Sequence, residues 1–482
     1  MWEFINESLM KFEKGFSREA PFKWFVVVVV GLMTGTEHFG VTSIIRTMGI
    51  NPIFYHNLLH FFRASSWNLD KIQEIWMKLV MQSNLVYSVS DMPVLIGDGI
   101  KVSKEGRKMP GVKKLRQESG NSAKADYIRG HMFGAIGALI GDGTKYFCTL
   151  LSMRLHDGNE TVGKWAGDKY ADESHVVRMI REGCAIAMLI GCGCILVLDA
   201  YFLSADALKL LKELEGKFET SLLTLITKVK TNGVAWEKPE PANGKRGAGR
   251  PRVRGAKVKL WDLFASEASA FIKATVTLYG KEEKVEYLIK NFLWSEGDYF
   301  ELYFVYVKWG TTETILACNN MLLGPEKIIE LYGLRFKIEC SFREFKQVVA
   351  GFAYRFWSFS MPKLKLFAKN EVMCTIVEAI NDKKEQKRIV NAYRATERFV
   401  MLACIAFGLL QMASLRFGDE INNSGFRWLR TKTANIPSEA TTADFARKTI
   451  NHGFYFSPKL YISRLIKSCQ PQHPVAADDA AA

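Results

Sequence analysis

Four side chains with complementary chemistry stand close together late in the chain: Tyr332, Arg335, Glu339 and Lys346. The segment from Tyr332 to Lys346 has no Gly or Pro after Gly333, and apolar residues recur at Phe342, Phe345 and Val349. That pattern predicts one continuous helix. At ~100° per residue the four fall within an arc of roughly 60°, while Glu344 lies about 120° from Tyr332. One face then carries a phenol, a guanidinium, a carboxylate and an ammonium. A carboxylate among donors suits a divalent metal beside a phosphodiester. The same spacing also describes a salt-laced surface helix, because Glu and Arg four apart are common there.

Metal chemistry of that kind needs further acids, and two apolar runs end in one. Pro93-Val-Leu-Ile-Gly-Asp98 predicts a short buried strand with an aspartate at its end. Ile195-Leu-Val-Leu-Asp199 repeats the device. An apolar run without alternation predicts a strand buried on both faces. An aspartate closing such a strand is costly to bury alone, so it caps the next helix or meets a cation. Ser204 is the better placed cap for that helix. Leu-Ile-Gly-Asp-Gly occurs twice, at 95–99 and 139–143. Asp142 has a sufficient task, because Asp-Gly makes a tight turn between strands at 134–140 and 145–153. Asp98 is followed instead by a basic stretch, with eight Lys/Arg against three acids between Lys101 and Asp126. Lys101, Lys104, Arg107 and Lys108 there suit phosphate contacts.

Tyr, two residues, Arg, three residues, Glu, six residues, Lys resembles the YREK signature of DDE transposases of the insertion-sequence-four type. The spacing between Asp98 and Asp199 also resembles that family's pattern. The resemblance implies an α/β (α+β) fold: a ribonuclease-H-like mixed sheet flanked by helices, interrupted by an all-β insertion. It implies Asp98, Asp199 and Glu339 as the catalytic, metal-binding triad, holding two Mg²⁺ (or Mn²⁺). Tyr332, Arg335 and Lys346 would then hold phosphates of the element's end. It further implies cut-and-paste transposition by a synaptic homodimer, in a bacterial cytoplasm beside the nucleoid. A tryptophan of the insertion can stack on a flipped base in that family; Trp309 and Trp294 are the candidates here. Two rivals remain: a DNA endonuclease of the same fold that does not join strands, and a decayed, non-catalytic DNA-binding relative.

The elements that must position these residues follow from the rest of the chain. A formal charge of +15 over 482 residues calls for an anionic partner, nucleic acid or an acidic membrane surface. Nine cysteines without regular spacing suit buried thiols in a reducing compartment, and Cys192-Gly-Cys194 reads as core. No signal peptide is visible. Trp24–Met33 is too short to span a membrane, so no membrane is expected; it predicts a buried helix or strand. Five regions are expected: a helical domain at 1–90, a catalytic core at 91–230, a basic loop with β insertion at 231–325, the returning core at 326–366, and a helical region at 367–482 with a disordered tail. Within the first, Val41–Met48, a Gly/Asn/Pro break and Ile53–Phe62 outline a helix-turn-helix or a plain helical hairpin. His56 and His60 there lack a third metal ligand. Lys228–Lys259 holds ten Lys/Arg and two Glu, and its Gly249-Arg250-Pro251-Arg252 resembles a minor-groove hook or a generic phosphate-binding loop. Tyr354-Arg-Phe-Trp-Ser-Phe interleaves aromatics with a cation, which suits DNA backbone contact.

Overall fold

The computed structural model describes residues 1–117, 125–158, 160–239, 252–363, 377–424, 435–456 and 459–471. Arg250, the beginning of the helical region expected at 367–482 and its expected disordered tail lie outside them.

Five helices come first: α1 Trp2–Met10, α2 Glu19–Thr34, α3 Val41–Met48, α4 Tyr55–Arg63 and α5 Leu69–Met81. The run Val26–Val30 in α2 is fully buried. Valine is a poor helix former, but this helix is enclosed by its neighbours, and packing overrides the local preference. The break between α3 and α4 forms as the residues dictate: Gly49 takes a left-handed φ of 58°, and Asn51 accepts from the Ile53 amide.

Strands β1 Ser88–Val89, β2 Met92–Ser103, β3 Lys113–Arg116, β4 Tyr127–Gly141 and β5 Tyr146–Asp157 follow. Then come α6 Glu160–Ala166, α7 His175–Ile190, β6 Cys194–Leu198, α8 Ala205–Phe218 and β7 Leu223–Lys228. The inner sheet runs β5-β4-β2-β6-β7, with β2, β6 and β7 mutually parallel and β4 antiparallel to its neighbours. Every residue of β6 is buried, as its unbroken apolar run requires. Asp98 is not at a strand end: β2 stays paired to β4 as far as Ser103↔Gly130. The turn between β4 and β5 is built by Asp142, whose side chain accepts from the Thr144 and Lys145 amides. Cys194 is buried but Cys192 is exposed in the turn after α7, which corrects the reading of both as core.

Gly99 and Gly134 pair across β2 and β4. Added Cβ atoms there would collide with the rings of His175 and His156, at 2.6 and 2.1 Å. The two glycines thus clear a hollow for an imidazole pair, Nδ1 to Nδ1 at 2.8 Å, closed by Glu182 on His156 at 2.7 Å.

The outer elements are β8 Val234–Trp236, β9 Lys257–Lys259, α9 Leu263–Ser266, β10 Ile272–Leu278, β11 Lys281–Trp294, β12 Phe300–Trp309 and β13 Thr312–Cys318. They match the expected β insertion, yet they are hydrogen-bonded into the same sheet. β13 pairs antiparallel with β7, so thirteen strands join among the described residues. α10 Pro325–Gly333 and α11 Phe336–Val348 return the chain to the inner sheet. α12 Lys383–Arg416, α13 Gly418–Asn423, α14 Glu439–Phe456 and α15 Tyr461–Cys469 close the fold. α12 is long and apolar enough to cross a membrane, but 94% of its most apolar window is buried inside this protein. It is the core helix, laid against β5, α2 and α14.

Candidate active site

β2 and β6 are parallel neighbours with Ile96 opposite Val197. Two residues further on stand Asp98, within β2, and Asp199, just past the end of β6, so the parallel pairing brings them side by side. Adjacent strands lie ~4.8 Å apart. Gly97 and Gly99 face α7, where Met179 and His175 press on them. Alternation along the strand turns Asp98 to the other face. The Asp98 carboxylate accepts from the Gly99 amide at 2.7 Å, and Asp199 accepts from Ala200 at 2.7 Å. The Thr227 hydroxyl, on β7, donates to the Asp199 carbonyl at 2.8 Å. Ser204 occupies the N-cap position of α8 without a side-chain cap bond.

The expected single helix at 332–346 is two helices. Amides at Leu334 and Arg335 reach back three residues, to Leu331 and Tyr332, and the winding tightens into a joint. Tyr332 sits in the last turn of α10, and Arg335 caps α11. Glu339 falls in the first turn of α11 and Lys346 in its last, the ends where their charges suit the helix dipole. α11 is fixed to the sheet by the Ser341 hydroxyl, which donates to the Cys148 carbonyl of β5 at 2.7 Å. Phe345 is fully buried below it, against Phe407 of α12.

Arg335 links the acids. Its Nη1 lies 3.3 Å from Asp98 Oδ2, and its Nη2 donates to Glu339 Oε1 at 2.5 Å. Tyr332 has Arg335 and Asp199 within hydrogen-bonding reach. Burial lifts Asp98 to about 6; Arg335 opposes the rise, and the charges of Asp199 and Glu339 add to it. Burial would lower Arg335, but Asp98, Asp199 and Glu339 outweigh it and hold the guanidinium charged. Burial first, then Asp199, push the Tyr332 phenol upward, so it stays protonated.

Among the described residues no three His, Cys, Asp or Glu groups already form a metal cluster. The guanidinium of Arg335 lies among the acids instead. The donor set nevertheless fits hard divalent ions: all-oxygen ligands, three carboxylates facing one guanidinium, and an Asp98 raised chiefly by burial, with the charges of Asp199 and Glu339 adding to the rise.

The expected phosphate contacts converge beside this site. Lys101, Lys104, Arg107, Lys108 and Lys346 line one groove of about 1010 Å³, together with Arg355 and Lys363. Three lysines are braced by carbonyls: Lys101 by Arg116, Lys104 by Phe352 and Tyr354, Lys108 by Phe359. Burial, then Arg355 and Lys346, lower Lys104 to about 7. Arg252 is exposed and does not line the groove. Trp309 is no free platform: its Nε1 donates to Glu283 at 3.2 Å, and its ring lies on Tyr279, which packs on Phe336. Trp294 lines a separate hollow of about 250 Å³ with Ala200, Lys230 and Trp236. His56 and His60 are exposed on α4. Arg355, the cation of the segment read as suiting a DNA backbone, lines the same basic groove. Its signal was the alternation in Tyr354-Arg-Phe-Trp-Ser-Phe, which turns Arg355 outward.

Strand order and paired aspartates define a ribonuclease-H-like domain of the kind that processes polynucleotides. More narrowly, the chain belongs to the DDE superfamily endonucleases, whose family model matches residues 11–279. That match contains Asp98 and Asp199 and ends before Glu339. Endonucleases of this superfamily act on DNA and generally use divalent metal ions. No curated protein matches the chain.

Proposed function

We propose that this protein is a DDE transposase of the insertion-sequence-four type, which cuts the ends of a mobile element and joins them to target DNA. The observation that carries the reading is the meeting of Asp98, Arg335 and Glu339, with Tyr332 beside Asp199. Asp98, Asp199 and Glu339 would hold two Mg²⁺ (or Mn²⁺), which supply Lewis-acid stabilisation of an in-line displacement and a more acidic attacking water.

The chain's own residues do the rest. Arg335 exchanges a carboxylate for a phosphate oxygen, which keeps its charge paired and frees the acids. The protonated Tyr332 donates a hydrogen bond to the same strand, and Lys346 holds a phosphate one helical stretch away. Fixing three points of the backbone aligns the scissile bond. Attack by water forms one P–O bond and breaks another, releasing a 3′-hydroxyl at the element's end. Attack by that hydroxyl on target DNA joins the strands with no net change in phosphodiester number. The basic groove carries the flanking DNA, and α3–α4, whose Arg63 reaches the Trp357 carbonyl at 3.5 Å, adjoin it. A homodimer would synapse two ends.

The test is incubation with the inverted repeats that flank the coding region, Mg²⁺ and a target plasmid. Wild type gives joined product; Asp199→Ala gives none, yet binds the ends. Cleavage without joining makes the protein an endonuclease only. Binding without cleavage by wild type makes it a decayed relative. Joined product from Asp199→Ala removes Asp199 from the mechanism.

A further inference from the structure

The segment after α11 runs along the rim of the basic groove with strictly alternating burial. Tyr354, Phe356 and Ser358 are buried, while Arg355, Trp357 and Phe359 are exposed. The inward set is anchored in the core. The Tyr354 hydroxyl meets His131 Nδ1 at 2.6 Å, and Phe356 lies against Phe62 and Phe399. The backbone is tied as well: Ser358 N–H donates to the Lys108 carbonyl at 3.1 Å, and the Lys108 ammonium donates to the Phe359 carbonyl at 2.9 Å. The outward set is therefore held rigidly, yet it presents two large apolar rings to water. Trp357 is 44% and Phe359 79% exposed, with ring centroids 4.7 Å apart at 69°.

An exposed aromatic pair on a fixed support is an unusual expense of apolar surface unless something covers it. Its surroundings name the occupant. The adjoining groove is lined by seven Lys/Arg and a single acid, Glu105, so it suits a polyanion. A phosphate chain offers flat apolar faces only where its bases are unpaired, because duplex bases are already stacked on one another. Rings among cations that grip a backbone are the common means of holding single-stranded nucleic acid.

We infer that Trp357 and Phe359 form a stacking platform for an unpaired nucleobase of DNA lying in the Lys101–Lys108 groove. The inference rests on the proposed reading that DNA is handled at the adjacent carboxylates. It moves the base-stacking role from Trp309 and Trp294 of the insertion to the segment that follows α11. On this view the protein prefers DNA that is locally melted or tailed beside the cleavage point.

The test uses full-length Asp199→Asn protein in Ca²⁺, so that no strand is cut. Two probes are compared: a blunt duplex, and the same duplex with a short single-stranded extension carrying 2-aminopurine. The platform predicts tighter binding of the tailed probe, with 2-aminopurine emission quenched on binding. Adding Trp357→Ala and Phe359→Ala should remove the quenching and weaken tailed binding by on the order of tenfold to a hundredfold, leaving blunt-duplex affinity unchanged. Trp357→Tyr with Phe359→Tyr should restore both. Both rings lie at the surface, so the substitutions leave the core intact. Tailed and blunt probes bound equally well before and after the double substitution overturn the platform while leaving the transposase reading in place. A double substitution that changes only the oligomeric state also overturns it and makes the pair a subunit contact. Failure of the parent protein to bind either probe overturns the DNA reading itself.

Discussion

Two arginines of this protein are hidden to nearly the same degree, with 18% of the Arg154 side chain and 16% of Arg335 exposed, but their surroundings differ. Arg154 donates to Gln73 and Asp70 and lies 3.6 Å from Glu397. The two buried acids near it have their other oxygens filled from within, Glu397 by the Leu155 amide and Glu182 by the Ser152 hydroxyl and His156, while Asp70 stands 78% exposed at the rim. Arg335 faces three carboxylates, one of which, Glu339, is 55% exposed. Apart from adjacent amides and Tyr332, those acids have few internal donors. Burial of the arginine therefore does not distinguish the two clusters. The carboxylates do, because an oxygen the fold leaves open is one a ligand can take.

That contrast can be broken at either end. The largest effect is expected for Asp98→Asn and Asp199→Asn, which should lower cleavage of element ends by ~10³-fold or more. Neither should lower the thermal midpoint, and Asp98→Asn should raise it at neutral pH, because it removes a carboxylate whose ionisation the fold resists. A collapse in midpoint would place these acids in the structural class. The opposite profile is expected for Arg154→Met: a loss of about 3–5 kcal/mol in urea unfolding, as buried carboxylates lose their counter-charge. The fraction that remains folded should keep its specific activity.

The next effect in size concerns pH. A folded pKa of about 6 for Asp98, above the ordinary carboxylate value, means that the folded state holds this proton too firmly. Its favourable contribution to stability is present below the ordinary value near 3.8 and is lost as pH rises through about 6. Metal binding runs the other way, since the ligand must be ionised. At subsaturating Mg²⁺ the cleavage rate should rise about tenfold per pH unit below 6 and then level off. A rate flat from pH 5 to 7 would show that Asp98 does not titrate near 6. The smallest effect is expected for Lys346→Ala: the slope of log affinity against log salt should fall by about 0.9, the share of one phosphate contact.

Much of the inner sheet was legible in the sequence because parallel strands are buried on both faces and read as unbroken apolar runs. Cys194–Leu198 is the plainest case, and Asp199 follows from it. Asp98 could be singled out from a duplicated motif, since Asp142 had a turn to make, and Asp98 does lie beside Asp199 and Glu339. Its position within a longer strand was not, because Ile100-Lys-Val-Ser103 alternates like an exposed edge although its partner is β4. The joint at Leu334–Arg335 went unread although Gly333, the last residue of α10, stands beside it: a lone glycine is tolerated within a helical pattern, so it did not by itself predict a break. The continuity of β7 with β13 was illegible because pairing between residues about 90 positions apart has no local signature.

The two halves of that jointed helix answer to different masters. α10 is moored to the outer strands, through Tyr287 on Glu326 at 2.6 Å and the Thr277 amide on Glu330 at 3.1 Å. α11 is bolted to β5 through Ser341. Tyr332 therefore takes its place from the outer strands and Glu339 from the inner ones, while Arg335 stands at the joint, so the two ends of one charged face are aligned by separate sets of anchors.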